Sequence, residues 1–234
     1  MKPSKWLSSC LFALPSVLFA QNSVDYNIFK QAAEGYSNMF RGAFPVDYGD
    51  KKPNDGSTYY AYSSVFEKGN VLFRGKLYKD VLLNLNAQRD ELCVMDSNNG
   101  VIVVLNKNFV ESFSMGTGRE RQFVHFKQEA NPVLSNGYYE SIYSGKFILY
   151  KKILKQYEVS FSYSFLQKKS YILSESFYLQ KNGTWYRIGA KRDLKKLFAN
   201  QKREIDQLCR TRNLDFKKNR EYALIQTLLY LDEP

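Results

Sequence analysis

The residue types that carry acid–base or covalent chemistry are sparse in this chain. His125 is the single histidine among 234 residues, and it alternates with apolar neighbours in Phe123-Val124-His125-Phe126, as a strand residue does. A serine or cysteine nucleophile would need this imidazole as its base. There is no Gly-x-Ser-x-Gly elbow, and Cys93 and Cys209 lie in no recognisable motif. One histidine and no Cys-x-x-Cys leave the usual zinc and redox sites without ligands. Gly116-Thr117-Gly118 lacks the lysine and the helix of a phosphate loop, so it reads as a turn. Asp47, Asp50, Asn54 and Asp55 form an oxygen-rich run, but it has no EF-hand spacing, and Lys51 and Lys52 oppose a cation there. No metal and no cofactor is expected.

Carboxylates remain, since a glycosidase needs only two. Glu91, Glu111, Glu140, Glu158 and Glu175 all fall in strand-like segments. No pair can be nominated without a register, and surface charges alternating out of a sheet account for them. A carboxylate-dependent hydrolase acting on envelope glycan is therefore the alternative reading, without named catalytic residues. The other signal is aromatic: 18 Tyr and 17 Phe. Tyr59, Tyr60 and Tyr62 border a glycine-rich loop, and Trp185 with Tyr186 lies near the end of the strand region. Flat rings at sheet edges stack on sugars or hold acyl chains, which makes these five the binding candidates, against core packing as the ordinary fate of such rings.

The elements that must position these residues are mostly strands. Residues 21–57 read as a short helical stretch, Val24 to Phe40, and a loop from Arg41 to Ser57. From 58 to 189 short aromatic and β-branched runs are divided by turn signals such as Arg74-Gly75 and Ser97-Asn98-Asn99-Gly100. Tyr157, Val159, Phe161, Tyr163 and Phe165 alternate with Glu158, Ser160, Ser162 and Ser164, one apolar and one polar face. Asn182-Gly183 signals a hairpin that places Trp185 and Tyr186 on opposite faces of the last strand. Over 190–234 the period changes to 3.6. Three apolar stripes, with Asn200 and Asn219 as N-caps and Asn213 as a helix end, predict three short helices. The expected fold is α+β: a curved, mostly antiparallel meander of roughly nine to twelve strands with helices packed on it.

Residues 1–20 read as a secretory signal, with basic Lys2 and Lys5, an apolar stretch from Trp6 to Phe19, and Leu18-Phe19-Ala20 before the exit at Gln21. The stretch is too short to span a bilayer and contains Pro15, and no later segment is longer, so no transmembrane span is expected after cleavage. Processing after Ala20 lowers the formal charge from +11 to +9. The processed chain keeps Cys93 and Cys209, which are one bridge or two small buried hydrophobes. Export changes the meaning of the basic charge. Nucleic acid is not expected as a partner; the basic charge reads first as a solvated face with no partner, and otherwise as a match for an anionic envelope surface, a lipid or glycan, or an outer-membrane protein. Eleven basic and five acidic residues lie between Lys191 and Tyr222, as solvated helix faces or as a surface for anionic lipid or polymer.

The run Gly69-Asn70-Val71-Leu72-Phe73-Arg74-Gly75-Lys76-Leu77-Tyr78-Lys79-Asp80-Val81-Leu82-Leu83 resembles a segment of exported, largely uncharacterised envelope proteins of Bacteroidota-type bacteria. A Lys-rich helical region like Lys195 to Leu229, placed after an Asn-Gly turn, and the Leu18-Phe19-Ala20-Gln21 exit are similar as well. The chain departs from that pattern at Asn84-Leu85-Asn86, where a Tyr-Asp pair is commoner. The resemblance implies a periplasmic or outer-membrane-associated location and supplies no site residues. The expectation is a non-enzymatic binding or interaction module for a lipid, glycan or partner protein.

Overall fold

The computed structural model describes residues 39–45, 57–60, 64–116, 118–127, 133–161 and 167–233. The helical stretch expected over Val24–Phe40 falls outside these apart from its last two residues. Tyr62 and the Asp47–Asp55 run lie outside them too.

Ten strands form one antiparallel sheet: β1 (Glu67–Phe73), β2 (Lys76–Asn86), β3 (Glu91–Met95), β4 (Ile102–Val104), β5 (Val110–Met115), β6 (Arg121–Phe126), β7 (Gly137–Ser144), β8 (Ile148–Phe161), β9 (Gln167–Lys181) and β10 (Thr184–Ile188). The spatial order is β10-β9-β8-β7-β6-β5-β1-β2-β3-β4, two meanders joined where β1 pairs with β5. Local chemistry sets the hairpins. Arg74 and Gly75 (φ 52° and 72°) and Asn182 and Gly183 (φ 50° and 76°) take the left-handed pairs that match strand twist. The runs Lys76–Tyr78 and Val81–Leu85 belong to one strand, β2. Left-handed Asp80 (φ 54°) lies where the β1–β2 register shifts, and its N–H donates to Asn70 Oδ1.

The sheet curls. In a flat sheet β2 would lie five strand spacings, about 24 Å, from β8, yet Lys155 N of β8 donates to Ala87 O, just past β2, at 3.0 Å. Val71, Leu83, Leu92, Val94, Phe113 and Phe123 are buried along the enclosed face. Phe113 stacks on Phe123 with ring centroids 4.6 Å apart. Gly69 admits no side chain, because a Cβ would fall 1.9 Å from the Ser114 backbone oxygen of β5. Gly69→Ala is expected to cost about 1–3 kcal/mol, as overpacking does, read as a lowered denaturation midpoint. A midpoint unchanged from wild type would show that β1 and β5 can part freely.

Three helices follow: α1 (Lys191–Leu197), α2 (Lys202–Thr211) and α3 (Arg220–Asp232). Their apolar sides cover the β8–β10 end of the same face. Leu194, Ile205, Leu208, Leu224 and Leu228 pack with Leu149, Phe177, Leu179 and Ile188 in one buried cluster, each worth about 1.5–3 kcal/mol when fully buried. Asn219 caps α3 through Tyr222 N, and Asn213 (φ 49°) ends α2 in the left-handed conformation. Asn200 is not a cap: it sits in a 3-10 turn, Ala199–Gln201, and α2 starts one residue later. No helix among the described residues is long and apolar enough to cross a membrane. Cys93 and Cys209 are both free and buried, and burial pushes the Cys93 thiol up to about 12.

Candidate functional site

Strand β8 carries the unusual chemistry of this molecule, because Lys151, Lys152 and Lys155 are all buried along it. Adjacent residues of a strand point to opposite faces, so Lys151 and Lys152 must find counter-charges in different places. Lys151 faces Glu140, its direct cross-strand neighbour on β7, and its Nζ lies 2.7 Å from Glu140 Oε2 and 2.7 Å from Glu221 Oε2 of α3. Tyr60 OH donates to the same Glu140 oxygen, and the Arg121 guanidinium lies over the Tyr60 ring at 5.5 Å. This polar seam ties together the segment before β1, strands β7 and β8, and helix α3. Burial alone would pull the Lys151 ammonium down, but the two carboxylates outweigh it and hold its pKa above the usual lysine value. The Tyr60 hydroxyl is pushed far up by burial and by Glu140, so it stays a donor.

Lys152 reaches Asp90, at the β2–β3 turn, at 3.2 Å, and Lys107 takes the same Oδ2 at 2.9 Å. The other Asp90 oxygen accepts Tyr138 N at 3.3 Å. Lys152 Nζ also lies 4.7 Å above the Tyr139 ring. One carboxylate shared between two ammonium groups does not offset desolvation, and the Lys152 pKa is lowered by burial. Lys155 Nζ donates to the backbone oxygens of Ser57, at 2.8 Å, and Tyr59, and burial pushes its pKa down to about 8.

The Lys155 shift has a pH signature. An unfolded lysine titrates near 10.5, so between pH 8 and 10.5 the unfolded chain binds more protons than the folded one, and stability rises with pH across that window. Lys155→Met is expected to flatten that rise relative to wild type in thermal melts run at a series of pH values. Parallel wild-type and variant profiles would count against a neutralising Lys155.

The structure distributes the sequence candidates differently from a stacking platform. Tyr60 is buried at the seam and presents no open ring; Tyr59 is half-buried against Phe66. Trp185 and Tyr186 do point to opposite faces. Trp185 joins Phe126, Tyr139, Tyr150 and Tyr178 on the face away from the helices, while Tyr186 packs beneath the helices. Among the strand glutamates, Glu111, Glu158 and Glu175 are exposed and Glu91 is half-buried beside Arg89, but Glu140 is 6% exposed. Glu140 is therefore not a surface charge alternating out of a sheet, because cross-strand Lys151 makes its burial tolerable. His125 has both ring nitrogens engaged, Nδ1 with Val110 O at 3.0 Å and Nε2 with the Asn136 amide oxygen at 2.8 Å. No group of three or more His, Cys, Asp or Glu among the described residues is placed to hold a metal.

Two shallow surface clefts involve the helices. One, about 280 Å³, is lined by Glu175, Ser176, Arg187, Gly189, Asp193 and Arg220. The other, about 340 Å³, runs along α2 between Arg203 and Arg210. Four of the five acids between Lys191 and Tyr222 are engaged; the fifth, Glu204, is exposed with no partner among the described residues. Asp193 accepts Gly189 N and Ala190 N, and Asp206 binds Lys191 and Lys195. Asp215 accepts Lys217 N and Lys218 N, and Glu221 belongs to the Lys151 seam. Hydrogen bonds from Lys195 and Lys191 hold the Asp206 carboxyl down near 2. Lys196, Lys202, Arg203, Arg210, Lys217 and Lys218 point to solvent with no ion-pair partner among the described residues. The sequence showed the excess of cations; it could not show that four of the five acids were already occupied.

No protein-family model, curated protein or solved structure matches the chain.

Proposed function

We propose that this protein is an exported envelope protein acting as a non-enzymatic interaction module, which presents the outer surface of its C-terminal helices to an anionic lipid, glycan or partner protein. One observation carries the reading. Four of the five acids between Lys191 and Tyr222 are held by backbone amides or by lysines, and the exposed cations of α2 and of the turn before α3 outnumber the exposed acids there, Glu204 and Asp215, so this surface carries a net positive charge. Such a surface attracts polyanions at a distance set by ionic strength. The buried charges of β8 are structural by this reading, since each is met by a partner within the fold. Chromatography on immobilised heparin tests it: retention at low salt is expected, released early by Arg203→Glu with Arg210→Glu. Flow-through of the wild type at low salt would refute it.

A second reading, a carboxylate-dependent hydrolase on envelope glycan, is favoured by Glu175 and Asp193 lining one cleft. Asp193 is occupied by two backbone amides, which suits a structural cap better than an acid or base. This reading requires that wild type release soluble fragments from purified cell-wall glycan and that Glu175→Gln abolish the release.

A further inference from the structure

Helix α3 is apolar on two sides. Its inner side, Ala223, Leu224, Thr227, Leu228 and Leu231, is buried. On the opposite side Tyr222 and Leu229 lie two turns apart and are 51% and 41% exposed, while Ile225 between them is half-buried against the helical core. A helix packed on a sheet needs only one apolar stripe; Tyr222 and Leu229 belong to no buried cluster among the described residues.

Charge says what covers them. Arg212 lies beside this outer side, its Nη1 3.1 Å from Gln226 Oε1, and Lys217 and Lys218 are exposed just before the helix begins. The acids nearby offset them only in part. Asp215 accepts the amides of Lys217 and Lys218 and keeps its charge beside those two lysines, while Glu221 faces inward to Lys151. Asp232, at the far end, is bound by Tyr143 OH and Lys146 N, and exposed Glu233 lies at the end of the helix remote from Lys217 and Lys218. An aromatic and aliphatic side rimmed by Lys and Arg is the pattern of a helix lying in the interface of an anionic bilayer.

From this juxtaposition we infer that the outer side of α3, through Tyr222 and Leu229, docks on an anionic lipid surface, with Arg212, Lys217 and Lys218 held at the headgroups and the Glu233 end tilted away. The inference rests on the interaction reading above and narrows its partner to a bilayer. A second copy of the chain is the competing occupant, but two such surfaces would bring like charges together.

The test uses the protein as the cell processes it, with vesicles of phosphatidylcholine alone and of phosphatidylcholine with phosphatidylglycerol. Sedimentation with the anionic vesicles only is expected, weakened by salt. Lys217→Glu with Lys218→Glu should lower partitioning at least about tenfold, since each surface cation contributes about 1 kcal/mol. Tyr222→Ser with Leu229→Ser should also weaken vesicle binding while leaving heparin retention unchanged, which a purely electrostatic contact would not do. A Tyr222→Trp variant should gain fluorescence that brominated lipid quenches. Heparin retention without vesicle binding would overturn the bilayer inference and leave the interaction reading standing. Loss of both would sink both. Vesicle binding with an unquenched Trp at position 222, or a dimer in solution that Tyr222→Ser dissociates, would also overturn it.

Discussion

Lys151→Ala is expected to cost the fold about 3–5 kcal/mol, because it leaves two carboxylates facing one another with their shared ammonium removed. Glu140 and Glu221 are each 2.7 Å from Lys151 Nζ, so both would have to be neutralised or drawn out to water. In a domain of this size such a loss lowers the melting temperature by roughly 6–20 °C. The pH dependence has a definite sign. A lysine whose pKa is raised on folding contributes stability fully below its unfolded value near 10.5 and loses it as pH rises through the folded value. Wild type should therefore lose its advantage over Lys151→Ala at strongly alkaline pH. A controlled comparison is Lys151→Met with Glu140→Gln and Glu221→Gln, which removes all three charges at similar volume. It should recover most of the loss, as uncharged replacements of buried ion networks do. Measured by denaturant titration, a Lys151→Ala cost below about 1 kcal/mol would place the seam in solvent rather than in the core.

The seam was hard to read from the sequence for a physical reason. Turn chemistry is local, so Arg74-Gly75 and Asn182-Gly183 mark hairpins that the structure contains, and apolar spacing places three helices after residue 190. Buried charge is not local. Glu140 belongs to an alternating pattern that reads as solvent-facing, and only the β7–β8 register, which pairs it with Lys151, turns it inward. Tyr60 reads as a ring beside a loop, yet its hydroxyl meets a carboxylate 80 positions away. One signal was available. Tyr150-Lys151-Lys152-Ile153 puts lysines on both faces of a strand between apolar residues, which a sheet covered on both faces allows only if each has an acid to meet. The basic surface of the helices was legible as a composition; its direction came from which acids the fold had already engaged.

Asp90→Ala is the second large effect, again about 3–5 kcal/mol, and its origin differs. Asp90 is one acid serving two cations, Lys107 and Lys152, and it also accepts Tyr138 N. Gly137 is what lets it approach: a Cβ there would lie 2.0 Å from Lys152 Nζ and 2.1 Å from Asp90 Oδ2. Asp90 also holds a left-handed backbone (φ 56°), which Asn tolerates and Ala does not, at a difference of about 1–2 kcal/mol. Asp90→Asn should therefore be milder than Asp90→Ala, because it keeps the turn and an acceptor while losing the charge. Its pH profile identifies the cause. Without Asp90 the Lys152 ammonium, already lowered by burial, has no counter-charge and titrates lower still. Because the unfolded lysine holds its proton to higher pH, the stability of Asp90→Asn should climb with rising alkalinity below pH 10.5 more steeply than that of wild type. Adding Lys152→Met to Asp90→Asn should remove that extra slope and restore part of the lost stability. If the double variant kept the slope, the charge left uncompensated would be Lys107 at the rim, not Lys152 in the core.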